Sequence, residues 1–67
     1  MAVAKVTELS STSTKSFEDA INQGVTRATK TLRNVKSAWI KEQRVDVTGD
    51  SISEYQVNLV ITFVLDD

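Results

Sequence analysis

The chain has 67 residues, a formal net charge of -1, no cysteine and no histidine. This rules out a disulfide framework and a thiolate metal site, removes the commonest general base, and leaves no basic footprint for nucleic acid. A single domain spanning residues 1–67 would bury only about 60% of its unfolded surface, so association is the remaining route to stability. No apolar run approaches the roughly 20 residues of a membrane span. Met1–Lys5 lacks the apolar segment of a signal peptide, so no membrane partner is expected and the cytoplasm is the expected compartment.

Val3–Leu9 predicts a first strand, with Val3, Lys5, Thr7 and Leu9 on one side and Ala4, Val6 and Glu8 on the other. Ser10–Thr14 is a run of hydroxyls, readable as a short linker or as a lead-in that caps a helix near Ser13. Phe17, Ala20, Ile21, Gly24, Val25, Ala28 and Leu32 then recur at spacings of three and four, an amphipathic helix running to about Leu32 or Arg33. Glu18 and Asp19 suit its positive end, and Arg27, Lys30 and Arg33 its negative end. Gly24 costs about 1 kcal/mol in mid-helix relative to Ala. Its place on the apolar stripe predicts close approach of the helix to a strand. Val35–Val47 predicts a second strand, with Ala38 and Ile40 on one side and Ser37, Trp39, Lys41 and Gln43 on the other. Thr48-Gly49-Asp50-Ser51 is a turn by composition, and Ile52–Leu65 is the third strand.

The helical crossover sets the first two strands parallel, and the third fits between them, antiparallel to both. The fold class is therefore α+β, in β-α-β-β order, with a three-stranded antiparallel sheet wrapped around one helix. In the third strand Tyr55, Val57, Leu59, Ile61, Phe63 and Leu65 make one apolar face. The other face carries Gln56, Asn58, Val60, Thr62 and Val64, with no charge. Such a face is expected to be covered too, by copies of the chain or by a ligand.

Trp39 shares the face away from the helix, where it would serve as an oligomer contact or as a stacking platform for a planar ligand. Gln56 stands on the same kind of face, and its amide offers both a donor and an acceptor to a heterocycle edge. Its alternative role is that of an ordinary strand residue. Arg44 with Glu42 and Asp46 forms an alternating charge set suited to cross-strand or intersubunit ion pairs. The carboxylates Asp46, Asp50, Glu54, Asp66 and Asp67 have no EF-hand spacing, and solvated charge is the expected reading, with no metal site. Without His or Cys no nucleophile–base pair assembles, so the chain is not expected to be an enzyme.

Several words in this order are similar to the dodecins, small flavin-binding proteins that form a hollow shell of twelve subunits. They are Glu8-Leu9, Thr12-Ser13, Phe17-Glu18-Asp19-Ala20-Ile21, Thr31-Leu32-Arg33-Asn34, Glu42 and Arg44, Glu54-Tyr55-Gln56-Val57 and Phe63-Val64-Leu65. The resemblance implies the fold above assembled as a homododecamer, with flavin held between tryptophans of symmetry-related subunits. It implies that Gln56 bonds the polar edge of the ring, and Arg44 matches a basic position common in bacterial members. In the family pattern a tryptophan stands where this chain has Ser37. Trp39 lies two residues later on the same strand face, about 6.6 Å further along at strand rise. The functional expectation is flavin sequestration, of FMN or riboflavin, by a self-assembled shell with Gln56, Trp39, Arg44 and Ser37 at the binding site. The alternative is a dodecin-like shell without flavin, structural or cation-binding, as associated with members lacking the tryptophan.

Overall fold

The computed structural model describes residues 2–66. Its elements are β1 (Ala4–Ser13), α1 (Phe17–Thr31), β2 (Val35–Thr48) and β3 (Ser51–Val64). The sheet order is β1-β3-β2, with β3 antiparallel to both neighbours, as the alternation and the crossover predict.

β1 runs four residues beyond the expected strand. The hydroxyl run pairs with β3, Ser10 opposite Asn58 through Ser13 opposite Tyr55. A long central strand offers ladder partners, and the backbone pairing outweighs the weak strand propensity of serine. The helix therefore starts later than the expected cap at Ser13. Ser16 is the N-cap, accepting from the Asp19 amide at 3.0 Å. Ser13 instead accepts from the Lys15 amide at 2.9 Å and donates to Asp19 Oδ2 at 2.6 Å, joining the end of β1 to the first helical turn. At the far end the Leu32 amide bonds the Ala28 carbonyl at 2.8 Å. Asn34 then turns the chain at φ 60°, a conformation asparagine tolerates better than most residues. Its side chain donates to the Val64 carbonyl and to Asp66 Oδ1, at 3.2 and 2.6 Å.

The core is small. Ala20 and Ala28 from α1 meet Val57, Leu59 and Ile61 from β3, with Leu9, Phe17, Ile21, Leu32 and Val35 packed around them. Ala20, Gly24 and Ala28 are buried at intervals of four, so one side of the helix is nearly smooth and sits close to the strands. A β-carbon on Gly24 would lie 2.7 Å from Leu59 Cδ1 and 3.3 Å from both Leu9 Cδ1 and Ser11 Cβ. The glycine is there for close approach, as its position on the stripe predicts. Phe17 and Tyr55 close one end of the core edge-to-face, with ring centroids 5.1 Å apart.

The helix lies mainly over β1 and β3. The helix-side residues of the β2–β3 hairpin beyond it, Val45, Val47 and Ile52, stay exposed, as does Ile40. Gly49 at φ 62° opens the two-residue hairpin loop between Thr48 and Ser51, where a two-residue hairpin takes a glycine. The molecule is accordingly long and thin, 52 × 19 × 13 Å.

Two outcomes follow from this packing. Gly24→Val fills occupied space with a stiff side chain, and the urea midpoint should fall by the equivalent of about 1–3 kcal/mol. An unchanged midpoint would show that the helix does not sit this close. The second outcome concerns Asp19. Hydrogen bonds from Ser13 and then Gln23 hold its carboxyl below the ordinary 3.8 against an opposing desolvation, and the Lys15 charge adds the least. A lowered folded pKa contributes stability that is present above the unfolded value and lost as pH falls through the folded one. Asp19→Asn should therefore be less stable at about pH 7, with the difference closing from about pH 4 downward. A difference that grows in acid would contradict the assignment.

Candidate functional site

The face of the sheet away from α1 is built in cross-strand rows, since directly opposed residues project to the same side. Along β3, Gln56 lies between Thr12 and Arg44, Asn58 between Ser10 and Glu42, Val60 between Glu8 and Trp39, and Thr62 between Val6 and Ser37. The face thus divides in two. One half is apolar, with Val6, Trp39 and Val60, and Trp39 is 50% exposed. The other half is polar, centred on Gln56 and Asn58. Between them Lys41 reaches across β3 from β2 and donates to both carboxylate oxygens of Glu8 on β1, at 3.3 Å each.

The division depends on a bulge. The β2 register shifts between Ile40 and Glu42, leaving Lys41 without an opposing residue. A bulged residue breaks the period of two. Strict alternation puts Lys41 and Gln43 with Trp39. In the structure Gln43 moves to the helix side, opposite Val57, while Glu42 and Arg44 join the Trp39 face. The bulge is what sets Arg44 directly opposite Gln56.

In the polar half the side chains orient one another. Asn58 Nδ2 donates to Glu42 Oε1 at 2.7 Å, and Gln56 Nε2 donates to Ser10 Oγ at 2.8 Å. Gln56 keeps its carbonyl oxygen and a second N–H free, an acceptor beside a donor. Arg44 Nε stands 3.9 Å from Asp46 Oδ1. A cleft of about 90 Å³ opens here, lined by Glu42, Gln43, Arg44, Gln56 and Asn58. Among the described residues no group of three or more Asp, Glu, His or Cys side chains is placed to hold a metal ion, and no helix is long and apolar enough to cross a membrane.

The four residues singled out from the sequence share this face but not one spot. Gln56 and Arg44 are adjacent. Trp39 is opposite Val60, four residues from Gln56 along β3, or about 13 Å at strand rise. Ser37, opposite Thr62, is six residues away, about 20 Å. The sequence reading passed over three participants. Ser10 was hidden in a run that looked like a lead-in, Asn58 was only one of several uncharged alternates, and Lys41 acquires its role from a bulge that no residue type announces.

Comparison with known proteins places the chain in a family. The Dodecin family model matches residues 3–66. A dodecin of Thermus thermophilus is 38% identical over 65 residues, covering 97% of this chain and 94% of the relative. The crystal structure of a Trp→Phe mutant of Thermus thermophilus dodecin superposes with a TM-score of 0.92 at 37% identity, with all of both chains covered. The dodecin from Streptomyces davaonensis superposes with a TM-score of 0.92 at 30% identity, covering 98% of this chain and 97% of that one. The fold is the one these dodecins share. The chain belongs to the dodecin family.

Proposed function

We propose that this protein binds and sequesters a flavin, FMN or riboflavin, inside a shell made of twelve copies of itself. It acts as a single domain, in the cytoplasm, by binding without turnover. The observation that carries this reading is Gln56. Its free acceptor and donor suit the alternating carbonyl and N–H groups along the pyrimidine edge of an isoalloxazine, and the Ser10 bond fixes the amide for that contact.

One subunit supplies only part of such a site. Pockets for ligands of this size have volumes of about 300–1,000 Å³, and the cleft offers about 90 Å³. The nearest aromatic platform, Trp39, is too far along the strand for a single ring system to rest on it while its edge meets Gln56 of the same chain. The platform is therefore the Trp39 of a neighbouring copy. Ser37 leaves open space at the position where the family pattern has its tryptophan, and the indole two residues on takes over the stacking. Bound flavin supplies light absorption and redox capacity. The shell keeps it from solvent and quenches its excited state through the indole.

Flavin fluorescence titration tests the reading. Gln56→Ala should weaken binding by about 1–3 kcal/mol, the cost of leaving a buried polar edge unpaired, while assembly persists. Unchanged affinity would remove Gln56 from the site.

The role of Trp39 has its own pair of variants. Trp39→Ala should abolish quenching, and Ser37→Trp should strengthen binding by restoring a ring at the family position. If the parent and Ser37→Trp proteins both ignore flavin while remaining assembled, the chain is a shell of another purpose.

A further inference from the structure

We propose that copies of this chain join head to tail, the hairpin end of one seated on the opposite end of the next. This rests on the self-assembled shell above and names the surfaces that build it. The two ends are far apart within one chain. Ser51 and Val64 mark the two ends of β3, roughly 43 Å apart at strand rise, in a molecule 52 Å long. Neither end can cover or neutralise the other in the same copy.

The hairpin end is apolar and acidic. Val45, Val47 and Ile52 overhang the helix and stay exposed. Asp46 and Glu54 oppose each other directly, a like-charge pair across the strands. Asp50 lies in the loop beyond them. Arg44 stands 3.9 Å from Asp46, and among the described residues neither Asp50 nor Glu54 is in an ion pair. The other end is apolar and basic. Val3 and Leu65 are joined by a backbone hydrogen bond of 2.9 Å, and both stay exposed. Four cations gather there, where Asn34 turns the chain: Lys5 on β1, Lys30 in the last helical turn, Arg33 after it, and Lys36, which a shift in the β2 register leaves without an opposing residue. Asp66 is already engaged by Arg33 at 3.4 Å and by Asn34 at 2.6 Å. Among the described residues Lys5, Lys30 and Lys36 are in no ion pair.

Each end thus has apolar surface to bury and carries the charge that the other lacks. Copies meeting through the same end would set acid against acid or cation against cation. Meeting through opposite ends buries both overhangs and brings cations to the Asp46–Glu54 pair. Such a contact joins different patches of two copies, and in a closed assembly it runs round a ring.

The test is a charge swap followed by light scattering over a dilution series, at about 10 mM and about 200 mM salt. The double variants Asp50→Lys/Glu54→Lys and Lys5→Glu/Lys36→Glu should each need about tenfold or more protein to assemble at low salt. Much of that loss should be recovered at high salt, where the screening length falls from about 30 Å to below about 10 Å. Glu54→Lys gains a cross-strand pair with Asp46, so the fold of the first variant should survive. Combining all four substitutions in one chain restores opposite charge at the two ends and should restore assembly at low salt. Double variants that assemble like the parent, or a four-substitution chain no better than either double, would overturn the head-to-tail contact and leave the shell standing. A parent that stays monomeric would defeat both.

Discussion

From Tyr55 to Val64, β3 carries uncharged side chains on both of its faces, and the chain has one helix with which to cover them. The helix takes the Val57, Leu59 and Ile61 side, where it sits close because Ala20, Gly24 and Ala28 keep its inner surface smooth. Everything else follows from that allocation. The opposite side is left with Trp39, Val60 and Val6 partly or wholly in solvent, and the hairpin beyond the helix exposes Val45, Val47 and Ile52 as well. A chain of 67 residues cannot leave that much apolar surface in water at little cost, since burial of each large aliphatic side chain is worth about 1.5–3 kcal/mol. Copies of the chain are the covering material that the fold calls for.

The same uncovered face carries the chemistry. Its polar half owes its composition to the bulge at Lys41, which turns Glu42 and Arg44 to the side of Gln56 and Asn58. Its boundary is the Lys41–Glu8 pair, an exposed contact whose energetic contribution is small, about 0–1 kcal/mol. That pair lies between the apolar and polar halves. A planar ligand with one polar edge matches a surface divided in this way. On the proposed flavin reading, the division puts the stacking platform and the polar edge on different copies.

The strand order, the helix and the purpose of Gly24 were legible in the sequence because each rests on a periodicity or on a residue with one dominant use. The Tyr55–Leu65 alternation defines β3 without help from tertiary structure. The Ser10–Thr14 run was not legible in the same way. Hydroxyl residues suit caps and strands alike, and only the ladder to Asn58 and Gln56 decides between them. Of the site, the face of Trp39 and of Gln56 could be read by counting in twos. That count fails after Ile40, because the extra residue of a bulge has no signature of its own. Arg44 reached the right face through an irregularity the pattern does not show.

The central claim is that the second face of the sheet is covered by further copies of the chain. Light scattering on a sizing column at micromolar concentration tests it most directly. Twelve copies of a 7.4 kDa chain give about 89 kDa, and a single monodisperse species of that mass is the predicted result for a closed symmetric assembly. A stable monomer of 7.4 kDa would contradict the account, because the Trp39 face would then stand in water with nothing to cover it.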